Sequence, residues 1–449
     1  MSSLFKQENQ SSPTGPKILL TDTNRWPLGP RLAMGFASMG CELAVICPSP
    51  RHPASKTSAV RQTLPYVGAQ PLASLRRAIE AFEPDIILPL CDRSVQHLHE
   101  LYAVETAHGR VESRITSLIE YSLGDPESFQ FVSSRYQLLQ VARAEGIRAP
   151  DMIAIDSAAE LELWCAQTQP PWVIKADGSW GGRGVRIAKT VREARRDWFE
   201  LSQRPGLVEL VKRLSLNRDR GWILSDWRRA RPRVIVQSHI HGRPANCAVV
   251  SWKGKVLAGI AVEVIQAQGP TEPAMVVEVV EGSEMLRAAE VLTKHLNLSG
   301  FFGLDFMIEE GTGLPYLIEM NPRCTPPCPV PLGSGRDLAA ALLAKVTGGV
   351  LKERPAATDK SKITYFPANW GNSLLRPEMI DTHTTYYDIP DGEPGLVEEL
   401  LNPWSARSYL GQAVDFVRRI ATRPKVTEAH IFERQAVPAK YDSASIVRK

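Results

Sequence analysis

The chain's seven cysteines (Cys41, Cys47, Cys91, Cys165, Cys247, Cys324 and Cys328) contain no CxxC pair. An odd set of scattered thiols forms neither a disulfide framework nor a zinc ligand set, and reduced thiols are expected. Cys324 and Cys328 share the segment CTPPC, but its prolines and the lack of matching Cys or His elsewhere argue against zinc. No apolar run in the 449 residues reaches the length of a membrane span. Charge of one sign is not concentrated: 53 Lys and Arg stand against 49 Asp and Glu, interspersed, for a net of +4. Neither a basic stripe for nucleic acid nor an acidic tail is present. The start, MSSLFKQENQSSPTGPK, lacks the apolar middle of a signal peptide. It is expected to be a disordered tail (1–16) of a cytoplasmic protein. The first strand is not followed by GxGxxG; TDTNRWPLGP stands there, against dinucleotide binding.

What is present is an ordinary globular composition, 43% hydrophobic and 23% charged, at a length that divides into two to four domains. KILLTDT (17–23), CELAVICP (41–48) and the strand at 85–90 alternate with helical segments, with a polar loop expected at Cys91–Ser94. That alternation predicts a small doubly wound parallel α/β domain over 17–125. A helix with a serine cap and a glycine stop follows within 133–150. Next come a glycine-flanked hairpin, a helix at about 191–203 and two or three strands over 232–266 with a turn at WKGK. A helix at 283–296, two strands around a GTG turn (300–323) and the helix of DLAAALLAKVTGG complete a second region over 126–347. From about 351 the chain is harder to read, save for a helix-like RSYLGQAVDFVRRIATR.

Two segments carry chemistry. In WVIKADGSWGGRGVRIA (172–188), Lys175 closes an apolar strand, and Gly178, Gly181, Gly182 and Gly184 punctuate the loop before the next strand. A flexible hairpin explains one or two glycines. So many also suit a backbone that approaches a phosphate chain and aims several N–H donors at it. In GLDFMI and YLIEMNPR, Asp305, Glu319, Asn321 and Arg323 interrupt apolar strands. Alternation puts Glu319, Asn321 and Arg323 on one side, and hairpin pairing brings Asp305 to it. Two carboxylates and an amide oxygen suit Mg²⁺ held against nucleotide phosphates; a salt-bridged cluster is the bland alternative.

The ordered segments SSRYQLLQVARAEGIRAP, VIKADGSWGGRGVRIA, VIVQSHIHGR, GFFGLDF and YLIEMNPR resemble the ATP-grasp superfamily over about residues 17–347. The resemblance implies an α/β chain with an α+β ATP-grasp core: a Rossmann-like domain over 17–125, an ATP-grasp domain over 126–347 with a lid subdomain at about 150–237, and an extension over 348–449 packing on the core. It implies ATP and Mg²⁺ (or Mn²⁺) as cofactors and activation of a small carboxylic acid as an acylphosphate for attack by an amine. Lys175 is then expected at the ATP phosphates, with the loop Gly178–Gly184 closing over them. Gln237 and Ser238 begin the hinge that binds adenine, Ile240 packs on the base, and Asn246 is a ribose or second-layer position. Asp305, Glu319 and Asn321 correspond to metal ligands, and Arg323 to the arginine at the transferred phosphoryl group and substrate carboxylate.

The chain departs from the pattern at Ser134-Arg135, where the family usually has Asp-Lys; an arginine can still bind phosphate, and Arg135 is expected to do so. Gln237 stands for the commoner glutamate. The glycine loop is similar to that of biotin carboxylases and carbamoyl-phosphate synthases, but CTPPCPV follows Arg323 instead of a polar bicarbonate site, and no biotin acceptor is present. A carboxylate–amine ligase is therefore expected, with a carboxylase, a phosphotransferase or a non-catalytic ATP-binding protein as alternatives. Trp180 packs the closed loop over the nucleotide or anchors it to the body, and His239 and His241 are hydrogen-bonding residues of the hinge. Arg31, Asp92, Arg93 and Ser94 are candidates for the substrate crevice, with structural roles equally open. No nucleic acid or membrane partner is expected, and a homodimer is compatible with the sequence.

Overall fold

The computed structural model describes residues 15–49, 52–177, 184–203, 233–267, 269, 273–367 and 383–401. The chain divides into two units, Met1–Trp404 and Ser405–Lys449. The second unit, most of the expected N-terminal tail, and the expected C-terminal helix lie outside the described residues.

The first layer is a four-stranded parallel sheet in the order β3-β2-β1-β4, made by β1 (Lys17–Thr21), β2 (Glu42–Cys47), β3 (Gln62–Pro65) and β4 (Ile86–Pro89). Its inner strands carry the buried apolar runs Ile18–Leu20 and Leu43–Cys47 because helices cover both faces. Those helices are α1 (Leu28–Ala37), α2 (Pro71–Phe82), α3 (Asp92–Ala107) and α4 (Arg114–Leu123). β3 is an edge strand with three of four residues exposed, so it gave no apolar run to read. The segment expected as a polar loop at Cys91–Ser94 is corrected: α3 begins at Asp92. A carboxylate in the first helical turn suits the positive end of the helix, and Ser94 Oγ donates to Thr21 O at 3.0 Å, tying that turn to β1.

Two short helices, α5 (Phe129–Val132) and α6 (Arg135–Ala144), lead into a second, antiparallel sheet. Its order is β5-β8-β6-β7, from β5 (Met152–Ile155), β6 (Trp172–Ala176), β7 (Val185–Ala188) and β8 (Val234–Ser238). One face packs Trp172, Ile174 and Val236 against α7 (Ala158–Gln167) and α8 (Val191–Ser202). The other face is left for the site.

The third sheet has seven strands in the order β13-β12-β9-β10-β11-β14-β15. They are β9 (Gly242–Trp252), β10 (Lys255–Ala267), β11 (Ala274–Val280), β12 (Gly300–Glu309), β13 (Pro315–Asn321), β14 (Lys362–Tyr365) and β15 (Thr385–Asp388). Helix α9 (Ser283–His295) and α6 cover one face, where Met285, Leu292, Leu138 and Leu139 meet Cys247, Phe302 and Leu304. On the other face, α10 (Leu338–Thr347) and α1 share a core with Ala248, Val250 and Ile260. Phe36 of α1 meets Phe301 of β12 edge to face, centroids 6.4 Å apart. The first layer and the large sheet therefore share apolar packing.

β14, β15 and α11 (Pro394–Leu401) come from the segment after 348 and extend the sheet. They are tied to the first layer by ion pairs Arg31–Asp388 and Arg25–Glu399, and by Glu393, which accepts from Thr57 and Ser58. Arg31 is thus engaged in a tie between segments. Among the described residues no helix is long and apolar enough to cross a membrane.

Candidate active site

A cavity of about 380 Å³ lies between the free face of the antiparallel sheet and one face of the seven-stranded sheet. Strand register explains what lines it. Val173 pairs with Ile187 and Gln237, and Lys175 with Val185, so these residues share the face turned from the α7/α8 core. Opposite them, Glu319 pairs with Asp305 and Asp305 with Asn246 across three adjacent strands. These pairs place the three side chains in one row on one face.

The row is cross-linked. Asn246 Nδ2 donates to Asp305 Oδ1 at 2.6 Å, and Asn321 Nδ2 donates to Asp305 Oδ2 at 2.8 Å. Gly303, opposite Asn321, has no room for a side chain, since an added Cβ would lie 2.4 Å from Thr325 Cγ2. That glycine lets the loop after β13 press onto the sheet beside the acids. Burial, with Glu319 adding negative charge, pushes the Asp305 carboxyl up to about 6. Glu319 pairs with Arg135, whose Nη1 also donates to Ala176 O at 3.2 Å.

Arg135 is placed by the start of α6. Ser134 Oγ donates to Asp177 Oδ2 at 2.7 Å, and the Arg135 amide donates to Asp177 Oδ1 at 2.8 Å. Asp177 thus clamps the helix start to the end of β6. It sits inside the glycine segment as VIKADG but offered no sequence signal for that role.

Lys175 is buried and makes one hydrogen bond among the described residues, to Ile318 O at 3.4 Å. Burial and the nearby Arg135 charge lower its pKa to about 8, against the opposing pull of Glu319 and Asp305. Among the described residues Lys175 forms no direct ion pair, so its charge is left open to an anionic ligand.

Arg323 lies just past the end of β13. Its Nη2 donates to Asn321 Oδ1 at 3.2 Å, its Nε to Asp92 Oδ2 at 2.9 Å, and its guanidinium sits 5.0 Å from the Trp26 ring. The sequence grouped Arg323 with Glu319 and Asn321. It did not reveal that Asp92, at the switch point between β1 and β4, would hold it, nor that Trp26 would stack on it.

Two buried polar atoms test the fit for a nucleotide. Gln237 Oε1 and Asn246 Oδ1 have no hydrogen-bond partner among the described residues, and both side chains line the cavity. Gln237 sits with the apolar Val173, Ile187 and Ile240, a pairing that suits a flat base with one polar edge. Ser238 N donates to Asp151 O at 2.8 Å, which fixes the backbone at the hinge. The rings of His239 and His241 lie 4.5 Å apart.

Among the described residues no three His, Cys, Asp or Glu side chains converge as a metal site. The donors available to a cation are Asp305, Glu319 and the Asn321 amide, whose Oδ1 now faces Arg323. Ligation by that oxygen requires a half-turn of the amide. Hard oxygen donors of this number suit Mg²⁺ that keeps water and phosphate oxygens. Gly184 O accepts from Ala176 N at 2.9 Å. Gly178, Trp180, Gly181 and Gly182 lie outside the described residues.

Residues 220–327 match a family model described as an ATP-grasp domain. No curated protein matches the sequence. N5-carboxyaminoimidazole synthetase from Staphylococcus aureus, complexed with ADP, is similar in structure: TM-score 0.54 at 14% identity, over 76% of this chain and 79% of that one. The biotin carboxylase domain of Hydrogenobacter thermophilus 2-oxoglutarate carboxylase, in complex with ADP, its magnesium salt and bicarbonate, aligns at TM-score 0.54 and 16% identity over 76% and 71%. Biotin carboxylase from Campylobacter jejuni aligns at 0.53 and 16% over 75% and 72%. At such identities the likeness establishes the fold. The chain thus has the fold of these structures, and within it residues 220–327 match the ATP-grasp domain model.

Proposed function

We propose that the protein is an ATP- and Mg²⁺-dependent, ADP-forming ligase that activates a carboxylic acid as an acylphosphate and passes it to an amine, forming a C–N bond. The observation that carries this is the convergence, in one cavity, of Lys175 and Arg135 with the Asp305–Glu319 pair, beside a buried Gln237 Oε1 without a partner among the described residues. Solved structures of similar fold hold ADP and its magnesium salt.

In this function Gln237 receives the adenine amino group, and Ile240 and Val173 pack on the base. Lys175 and Arg135 direct their charges at the phosphates. Asp305 and Glu319, with Asn321, would hold Mg²⁺, which when bound neutralises phosphate charge and aligns the transferred group. Arg323, held by Asp92 and Trp26, has N–H donors to spare and orients the acid carboxylate against the phosphoryl group.

ADP release measured with ATP and Mg²⁺ should require both an acid and an amine, or hydroxylamine as a surrogate amine. Release that needs the acid but is indifferent to any nucleophile would assign a phosphotransferase instead. Binding of ATP without any acid-dependent release would assign a non-catalytic protein.

A further inference from the structure

The face of the seven-stranded sheet that carries the acids changes character partway across. Glu319, Asp305 and Asn246 continue by register to Val262 on β10. Beyond it, Val264 pairs with Val277, Val277 pairs with Ile363, and Tyr365 follows two residues along β14 on the same face. Val262, Val264, Val277 and Tyr365 line the cavity, with Trp26 and Pro326. The acids of these strands point away: Glu263 pairs with Glu278 on the opposite face and engages Arg243. Among the described lining residues, the cavity holds no charged side chain on this side beyond Arg323.

A substrate with a second carboxylate or an ammonium would leave that charge desolvated and unpaired here, which is costly. An apolar body would be favoured. At the far side stands Tyr365, 9% exposed, whose hydroxyl has no hydrogen-bond partner among the described residues. Buried phenols normally find a partner. Burial holds this one neutral by raising its ionisation well above the usual range, so it can donate to or accept from a neutral atom.

We propose, resting on the ligase function above, that the acid substrate is an apolar monocarboxylate without a second charge, and that Tyr365 sets specificity by bonding a neutral polar atom at its far end. Arg323 holds the carboxylate end. The apolar strip itself, from β10 to β14, spans two strand spacings, about 10 Å.

Calorimetry on the full chain, with Mg²⁺ and a non-hydrolysable ATP analogue, tests this using phenylacetate, 4-hydroxyphenylacetate, succinate and phenylalanine. Phenylacetate should bind, and 4-hydroxyphenylacetate about ten-fold more tightly, the worth of one good hydrogen bond. Tyr365→Phe should erase that difference while leaving phenylacetate affinity, nucleotide affinity and the melting temperature unchanged. Tighter binding of succinate or phenylalanine, no binding of any of these acids, or a preference for the hydroxylated acid that survives in Tyr365→Phe would overturn the proposal. ADP release with hydroxylamine separates the two claims. The expected binding pattern without ADP release would remove the ligase function and keep the subsite. Release driven by the charged acids alone would keep the ligase and remove the subsite.

Discussion

Asp305 faces Glu319 directly across the β12–β13 ladder, and the two carboxylates are held by different partners, two asparagine amides for one and the Arg135 guanidinium for the other. Like charges directly opposite in a sheet are destabilising. The arrangement is therefore one that a cation would relieve.

Glu319→Gln should separate chemistry from folding. A glutamine oxygen can still accept from Arg135, so stability should fall by only about 1 kcal/mol and the melting temperature little. Turnover should fall at least about a hundred-fold, since a charged ligand is lost. Glu319→Ala should melt much earlier, because Arg135 loses its carboxylate partner. Melts and ADP release for both variants check this; equal melting of the two would argue against the Arg135 pair as a structural element.

Asp305→Asn should stabilise the ligand-free protein while disabling it. The folded carboxyl titrates at about 6, against 3.8 for an ordinary aspartate. The raised value means that ionisation disfavours the fold. The cost is fully present above about pH 6, declines as pH falls between those values, and is gone below the lower one. The variant's advantage in melting temperature should follow the same window, being largest at pH 7 and absent near pH 4. Asn246, whose Oδ1 has no partner among the described residues, can turn its amide to accommodate the new side chain.

Lys175→Met should behave similarly from the other sign. The folded ammonium titrates at about 8, against 10.5 for an ordinary lysine, so its charge costs stability fully below about pH 8 and ceases to cost above the higher value. Replacing it with an apolar chain of similar length should raise the ligand-free melting temperature at pH 7. ATP affinity should drop by about 1.5–3 kcal/mol, the worth of a charge-assisted bond. Calorimetry with a non-hydrolysable analogue reads the second half directly.

Asp92→Asn should act on the acid and not on the nucleotide. It removes the carboxylate that holds Arg323 Nε at 2.9 Å, loosening the guanidinium without deleting it. KM for the acid should rise while KM for ATP stays constant. Arg323→Lys should lose turnover altogether, since lysine keeps charge but not the planar fork. A rise in both KM values for Asp92→Asn would show that Asp92 supports the whole cavity.

Much of this was legible in the chain. Alternation in YLIEMNPR and GLDFMI is a local property: residues two apart share a face in any extended strand, so Glu319, Asn321 and Asp305 could be grouped before the fold was known. The same holds for Lys175 at the end of an apolar strand and for the Ser134 cap. The helix start at Asp92 was misplaced because Arg93 and Ser94 read as polar loop residues, whereas both are buried and Ser94 bonds Thr21 O of β1.

What the tertiary structure decided was every contact that joins distant segments. Asp177 clamps α6 from 42 or 43 residues away, Asp92 holds Arg323 from 231, and Arg31 meets Asp388 from 357. The segment after 348 supplies β14 and β15, and with them Tyr365, because the open edge of β11 could accept a strand that no periodicity announced. Local sequence sets which way a side chain points along its own strand. Which charge it meets, and which wall closes the cavity, depends on the order in which strands pair.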